Sequence, residues 1–226
     1  MYISKIQLRP DAADRKALWG LLQDGYHAHR QLWTLFADSG DRRRDFLYRQ
    51  EQISGAVVFF AVSERRPHDD RGLWRIETKR YEPTLKRDQR LAFVLRANPV
   101  RSRRDPSNKQ HRHDVVMEAK TRLKHEGGLE SDRPLLPEII QREGYAWLAP
   151  RAARHGFAIN EGEVRIDGYR QHRWFKSGTG HQVRISTVEI TGVLTVTDPE
   201  RFAEALYRGL GPAKGLGCGL LMVRPI

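Results

Sequence analysis

A single cysteine, Cys218, occurs among 226 residues. One thiol closes no disulfide and builds no cysteine zinc site, so both frameworks are excluded. Cys218 stands in an apolar run and reads as a small core residue. Long hydrophobic stretches are also missing: none approaches the roughly 20 residues that span a bilayer. The opening Met1-Tyr2-Ile3-Ser4-Lys5 reads as a strand rather than a signal peptide. The expectation is a cytoplasmic protein with no membrane partner. Acidic residues are few beside basic ones, 28 against 40, leaving a formal net charge of +12. That excess favours a polyanionic partner, and the arginines cluster rather than scatter. Asp69-Asp70 is the only adjacent aspartate pair and falls in a turn, which makes a carboxylate-built metal nuclease a poor reading.

Glycine, by contrast, is concentrated in one place. The stretch Gly209-Leu210-Gly211-Pro212-Ala213-Lys214-Gly215-Leu216-Gly217-Cys218-Gly219 follows an amphipathic helical pattern and precedes a final strand. Phosphate loops of the Walker and dinucleotide types run strand, loop, helix, and no Lys-Ser or Lys-Thr follows these glycines. Nucleotide binding of those kinds is therefore not expected, and no cofactor is. A loop lacking Cβ atoms can still lie against a polynucleotide backbone.

The periodicity predicts a strand around Tyr2, Ile6 and Leu8, then a helix after Asp24 with Leu32, Trp33 and Phe36 on its apolar side. Two strands, 46–51 and 56–63, flank a turn at Gly55, and a clear strand at 91–95 is stopped by Pro99. Residues 100–114 carry Arg101, Arg103, Arg104, Lys109, His111, Arg112 and His113 and read as a basic linker. Residues 119–137 read as a polar insertion and 138–154 as a helix. Strands at 164–175 and 183–196 flank the turn Ser177-Gly178-Thr179-Gly180, and Asp198-Pro199 opens a last helix. The order in each half is roughly strand, helix, strand, strand, helix, strand, with only residues 68–73 left for the second helix of the first half. The fold class expected is α+β, two tandem ferredoxin-like (βαββαβ) domains covering 1–99 and 115–226.

Tyr26-His27-Ala28-His29-Arg30 is the strongest catalytic candidate. Three residues apart on a helix, Tyr26 and His29 share a face. Histidine moves protons near neutral pH, and a tyrosine hydroxyl can orient a reacting oxygen. RNA brings its own nucleophile, the 2′-hydroxyl, so a base, an acid and some positive charge suffice to cut it. The competing reading is a helix on which both residues only cap or pack. The pairs His27/His29 and His111/His113 are weak metal candidates, since no acidic third ligand stands nearby. Around the 164–196 hairpin, Arg170, Arg173 and Lys176 mingle with Tyr169, Trp174 and Phe175, a mixture suited to phosphates and exposed bases.

Taken together, Tyr26-x-x-His29-Arg30 with Leu32-Trp33, the segment Phe93-x-Leu95-Arg96-Ala97-Asn98-Pro99, and the ending from Gly192-Val193-Leu194 to Gly219-Leu220-Leu221 resemble the CasE family. These are the CRISPR repeat-processing endoribonucleases of type I-E systems. The resemblance covers nearly the full length and is weakest across 119–137. It implies the tandem ferredoxin-like fold and metal-free cutting at the 3′ base of a CRISPR repeat stem-loop. It also implies 5′-hydroxyl and 2′,3′-cyclic phosphate (or 3′-phosphate) ends, and retention of the guide RNA beside other Cascade subunits. Tyr26 and His29 fall on the family's catalytic tyrosine and histidine, and Lys176 is the best match for a supporting cation. RNA contacts are expected from Arg30, Arg96, Arg101, Arg103, Arg104, Arg170, Arg173 and Lys214, and from the loop at Gly211, Gly215 and Gly217. The alternative is a non-catalytic subunit of the same fold that binds the RNA hairpin without needing His29.

Overall fold

The computed structural model describes residues 1–11, 25–36, 44–126, 134–175 and 182–226, with backbone alone for Gly25, Tyr26, Trp174 and Phe175. Its first sheet contains β1 (Tyr2–Leu8), β2 (Phe46–Ile53), β3 (Ala56–Ser63) and β4 (Trp74–Arg80), in the order β2-β3-β1-β4 with every pairing antiparallel. The β2–β3 turn is Ser54-Gly55, with φ of 50° and 75° at its two central residues. That is the primed geometry that matches strand twist, and glycine adopts it without strain. Helix α1 (Gly25–Thr34) lies between β1 and β2 in sequence. Ala28 and Leu32 from α1, followed by Leu35 and Phe36, bury against Ile6, Phe46, Tyr48, Phe59 and Trp74. No helix forms between β3 and β4. Pro67 and Gly72 oppose one there, and the Asp69 carboxylate accepts from the amides of Arg71 (3.1 Å) and Trp74 (2.6 Å), fixing a turn.

The second sheet joins β5 (Arg90–Ala97), β8 (Phe157–Phe175), β9 (Gln182–Val196) and β10 (Leu221–Pro225), in the order β10-β5-β9-β8. Counted within its own unit, each sheet runs 4-1-3-2, the ferredoxin-like order expected from the sequence. The boundary differs from the expected one. Strand 90–97 belongs to the second sheet, because β9 and β10 pair with it and Leu91, Phe93, Leu95 and Ala97 fill the second core. The units therefore divide after β4, not at residue 99.

Residues 100–114 are not an open linker. They form a hairpin of β6 (Val100–Arg104) and β7 (Gln110–Asp114), with Arg101 opposite His113 and Arg103 opposite His111. Asp105 organises its turn by accepting from the Lys109 amide at 2.9 Å and pairing with His111 Nε2 at 2.8 Å. Asp114 then caps α2 (Val115–His125), accepting from Val116 N at 2.9 Å and Met117 N at 3.1 Å. The expected insertion at 119–137 is thus helical up to His125, and α3 (Leu136–Arg154) begins at its far end. Residues 127–133 lie outside the described residues. Helix α4 (Pro199–Arg208) opens on the Asp198 cap and buries Phe202, Ala205 and Leu206.

Helices α2, α3 and α4 cover one face of the second sheet, around Trp147, Leu148, Phe157, Ile190 and Leu194. The buried Trp147 indole donates to Val100 O at 3.1 Å and so ties the hairpin down. Leu47 and Val62 of the first sheet and Leu220, just before β10, make a smaller apolar seam between the units. A register irregularity between Asp167 and Arg170 matters most for the site. Before it, Val164 and Ile166 are buried in the helix-covered core; beyond it, Tyr169 packs toward that core while Gly168, Arg170 and His172 line the groove on the other face.

Candidate active site and nucleic-acid interface

Helix α1 carries His29 to the edge of the first unit's aromatic cluster. Its ring centroid lies 5.8 Å from Trp33, 6.5 Å from Phe46 and 6.2 Å from Tyr48, the latter two stacked. Its Nδ1 is solvent-excluded and has no hydrogen-bond partner among the described residues. Burial, and then the positive charge of Arg44, hold the His29 pKa below the ordinary histidine value. The ring is therefore neutral at neutral pH and able to accept a proton.

The glycine loop closes over this ring. Tyr48 donates its hydroxyl hydrogen bond to Gly215 O at 3.2 Å. A Cβ on Gly215 would sit 2.8 Å from an Arg44 guanidinium nitrogen and 3.8 Å from His29 Cε1. Gly217 has φ of 79°, and its Cβ would lie 3.2 Å from the Tyr48 ring. Gly211 faces elsewhere, with room for no Cβ beside the Trp147 ring at 2.9 Å. Glycine is thus required here for the loop to lie on the protein's own side chains. Lys214 and Arg44 bring positive charge close together, and burial lowers the pKa of each; Arg44 and then Arg208 lower that of Lys214 further.

Beside Tyr48 a groove of about 620 Å³ runs between the two sheets, lined by β2 on one side and by β5, β8 and β9 on the other. Arg96, Arg170 and His172 line it, along with Leu216 and Gly217 of the loop. His172 contacts Thr187 Oγ1 at 3.0 Å, and burial followed by Arg96 and Arg170 keeps its pKa low. Arg49 and Glu189 also face the groove.

The structure brings His29, the 215–217 loop, Arg96 and Arg170 into one region. Arg30 is exposed on α1 next to His29 in sequence. Arg173 is exposed one strand step out of phase with His172, so by alternation it faces away from Arg170. The hairpin arginines stand apart from the groove lining. Arg101 reaches Glu143 at 3.9 Å, Arg103 pairs with Glu118 at 2.7 Å, and Arg104 donates to Asn108 at 2.7 Å. The Tyr26 backbone is in the first turn of α1, whereas its side chain and all of Lys176 lie outside the described residues. Arg44, Tyr48, Arg49 and Glu189 were not anticipated, whereas His172 belongs to the basic cluster the sequence places around the second-half hairpin. One signal was available: a charged residue at position 49 inside a strand whose neighbours are buried.

Two ferredoxin-like units with an arginine-lined groove between them, and a neutral histidine stacked on the Tyr48 that lines it, define a class of protein built to hold a polyanion beside an acid–base group. The family model described as CRISPR associated protein matches residues 1–225, and the chain belongs to that family. It is 31% identical over 229 residues to the CRISPR system Cascade subunit CasE of Escherichia coli, with both chains covered in full. Identity to the CRISPR-associated endoribonuclease Cse3 of Thermus thermophilus is 30% over 243 residues, again covering both completely. Among solved structures, Thermus thermophilus Cse3 bound to an RNA representing a pre-cleavage complex matches with a TM-score of 0.68 at 28% identity, covering 99% of this chain and 98% of that one. Cas6e of Escherichia coli matches with a TM-score of 0.65 at 26% identity over all of both chains. Among the described residues no helix is long and apolar enough to cross a membrane.

Proposed function

We propose that this chain is an endoribonuclease that cuts precursor CRISPR RNA at the 3′ base of each repeat stem-loop and keeps the guide RNA as a Cascade subunit. The observation that carries this reading is the neutral His29 beside Arg44 and the glycine loop, stacked on the Tyr48 that lines a groove shared with Arg96 and Arg170. The relatives' names and their RNA-bound structures supply the substrate class.

In the proposed step neutral His29 accepts the proton of the 2′-hydroxyl as that oxygen attacks the adjacent phosphorus. The P–O5′ bond breaks, leaving a 2′,3′-cyclic phosphate on one product and a 5′-hydroxyl on the other once the leaving oxygen takes a proton. Tyr26, assigned from the family pattern, orients the 2′-oxygen. Positive charge from Lys176, together with Arg44 and Lys214, stabilises the phosphorane-like transition state. Arg30, Arg96 and Arg170 hold the backbone, and much of the rate comes from fixing an in-line geometry that free RNA rarely visits. The nucleophile, base and charge all come from RNA and protein, so the reaction proceeds without metal. Incubation of a labelled repeat hairpin with excess EDTA tests this: one cut with a cyclic phosphate end is expected, and loss of the cut on chelation would overturn the metal-free step. A single 2′-deoxy nucleotide upstream of the cut should abolish cleavage.

A further inference from the structure

We propose that Glu189 is a positioning residue for this reaction: its carboxylate ties buried Arg49 of the first unit to Arg96 of the second, and so fixes Arg96 at the RNA path and sets the geometry of the groove floor. The inference rests on the RNA-cleaving reading above. Glu189 projects from β9, directly across from Arg96 on β5. Its Oε1 accepts from Arg96 Nε, and its Oε2 accepts from Arg49 Nη2 at 2.7 Å. Arg49 comes from β2 of the first sheet and Arg96 from the second, so one carboxylate joins the two units. Arg96 also crosses the seam in the opposite sense, donating from Nη1 to Gln50 O at 3.0 Å. The three side chains line the inter-sheet groove.

Two further observations show that the fold is built around this bridge. The Arg49 side chain is only 7% exposed; its Nε pairs with Glu51, and its Nη1 is solvent-excluded with no partner among the described residues. A guanidinium so deeply placed, with one arm unsatisfied, is held by its carboxylates rather than by water. Gly168, at φ of 59° beside the β8 irregularity, leaves room for the Glu189 side chain: a Cβ there would meet Glu189 Cγ at 3.1 Å. The irregularity that turns Arg170 toward the groove is therefore also the one that admits Glu189. The rest of the seam, around Leu47, Val62 and Leu220, is apolar and carries no direction for charge.

The bridge makes a prediction that simple fold support does not. Glu189→Gln removes a negative charge from the groove floor and releases Arg96 from its carboxylate. RNA should then bind at least as tightly as to the parent. With one more uncompensated positive charge on the groove floor, the plot of log Kd against log salt should steepen by up to roughly 0.7–0.9, the increment for one further phosphate neutralised. Cleavage at saturating RNA should fall by at least about tenfold, because the backbone is held but misplaced. The experiment measures, for parent and Glu189→Gln, the binding of the repeat hairpin across a salt series and the single-turnover rate at saturation. A parent that neither binds nor cuts would sink the functional reading itself. A parent that cuts, beside a variant with parental rate or with weakened binding and an unchanged salt slope, would overturn the role given to Glu189. Should Glu189→Gln fail to fold, Glu189→Asp decides. It keeps the charge but reaches one methylene less far, so the salt slope should stay parental while the saturating rate drops; a parental rate would overturn the proposal.

Discussion

The two units share a strand order but differ in what covers their sheets. Three helices pack on the second, whereas α1 is the only described helix on the first, and residues 64–73 pass between β3 and β4 without one. The second core is mainly aliphatic around Trp147; the first is a chain of rings, from Phe36 and Phe46 through Tyr48 and Phe59 to Trp74. The aromatic cluster has an edge, and His29 occupies it beside Trp33, Phe46 and Tyr48. A polar ring can be desolvated there without being sealed away. The thickly covered unit contributes instead a free sheet face for the groove. In the proposed reading the proton transfer falls to the first unit and most of the backbone grip to the second, and substitutions should separate them.

The sharpest separation is expected from His29→Ala. Losing a positioned proton acceptor should slow single-turnover cleavage by about 10²- to 10⁴-fold, while filter binding of the uncut hairpin stays near parental. If binding collapsed along with cleavage, the division of labour would be wrong. Next is the second core: Trp147→Ala deletes a fully buried ring that also anchors the hairpin, and urea unfolding should show a loss of about 3–5 kcal/mol. A smaller effect is predicted at the loop that joins the units. Gly217→Ala places a side chain at φ of 79° against Tyr48 and should cost about 1–2 kcal/mol, with a fall in cleavage because the loop lifts from Tyr48.

The pH dependence follows from the depressed His29 pKa. In its proposed role as base His29 must be neutral, so kcat/KM should rise with pH and level off below the ordinary histidine value of about 6.5. Trp33→Ala would admit water to the ring and move that inflection upward; an inflection that did not move would break the link between the aromatic edge and the chemistry. The linkage to stability has the same sign. The unfolded chain binds a proton at His29 before the folded chain does, so this contribution is present above the unfolded pKa and declines as pH falls toward the folded one. Least is expected from the hairpin. The Arg103–Glu118 pair leaves Arg103 60% exposed, so Arg103→Ala should change stability by only about 0–1 kcal/mol. It should also reduce the salt slope of RNA binding less than Arg96→Ala does.

Much of this could be read from the chain. Strand 56–63 is legible because its apolar residues are bounded by a Ser-Gly turn and a charged run, and Pro199 after Asp198 marks the start of α4 with its cap. His29 stood out as a candidate because a histidine three residues after a tyrosine on a helix could serve a 2′-hydroxyl reaction, but spacing alone fits capping or packing as well, and only the family resemblance carries the catalytic role. Sheet membership was not. Strand 90–97 looks the same whether it closes one sheet or opens the next, since alternation reports burial and not the partner. The hairpin at 100–114 was hidden by its charge: β pairing there is carried by backbone bonds and the Asp105 turn, which leave no apolar signature. Arg49 and Glu189 meet from positions 140 apart in sequence, a coupling no local pattern encodes. The glycine loop was legible as a Cβ-free surface, but not that Gly211 and Gly217 are also needed to fit against Trp147 and Tyr48 of the protein itself.

The most direct test is single-turnover cleavage of the repeat hairpin in EDTA, run with the parent and with His29→Ala on both all-ribose RNA and RNA carrying one 2′-deoxy nucleotide at the cut. One metal-free cut that requires both the ribose hydroxyl and His29, with the hairpin still bound by the variant, is the predicted result. Cleavage of comparable rate by His29→Ala would contradict it.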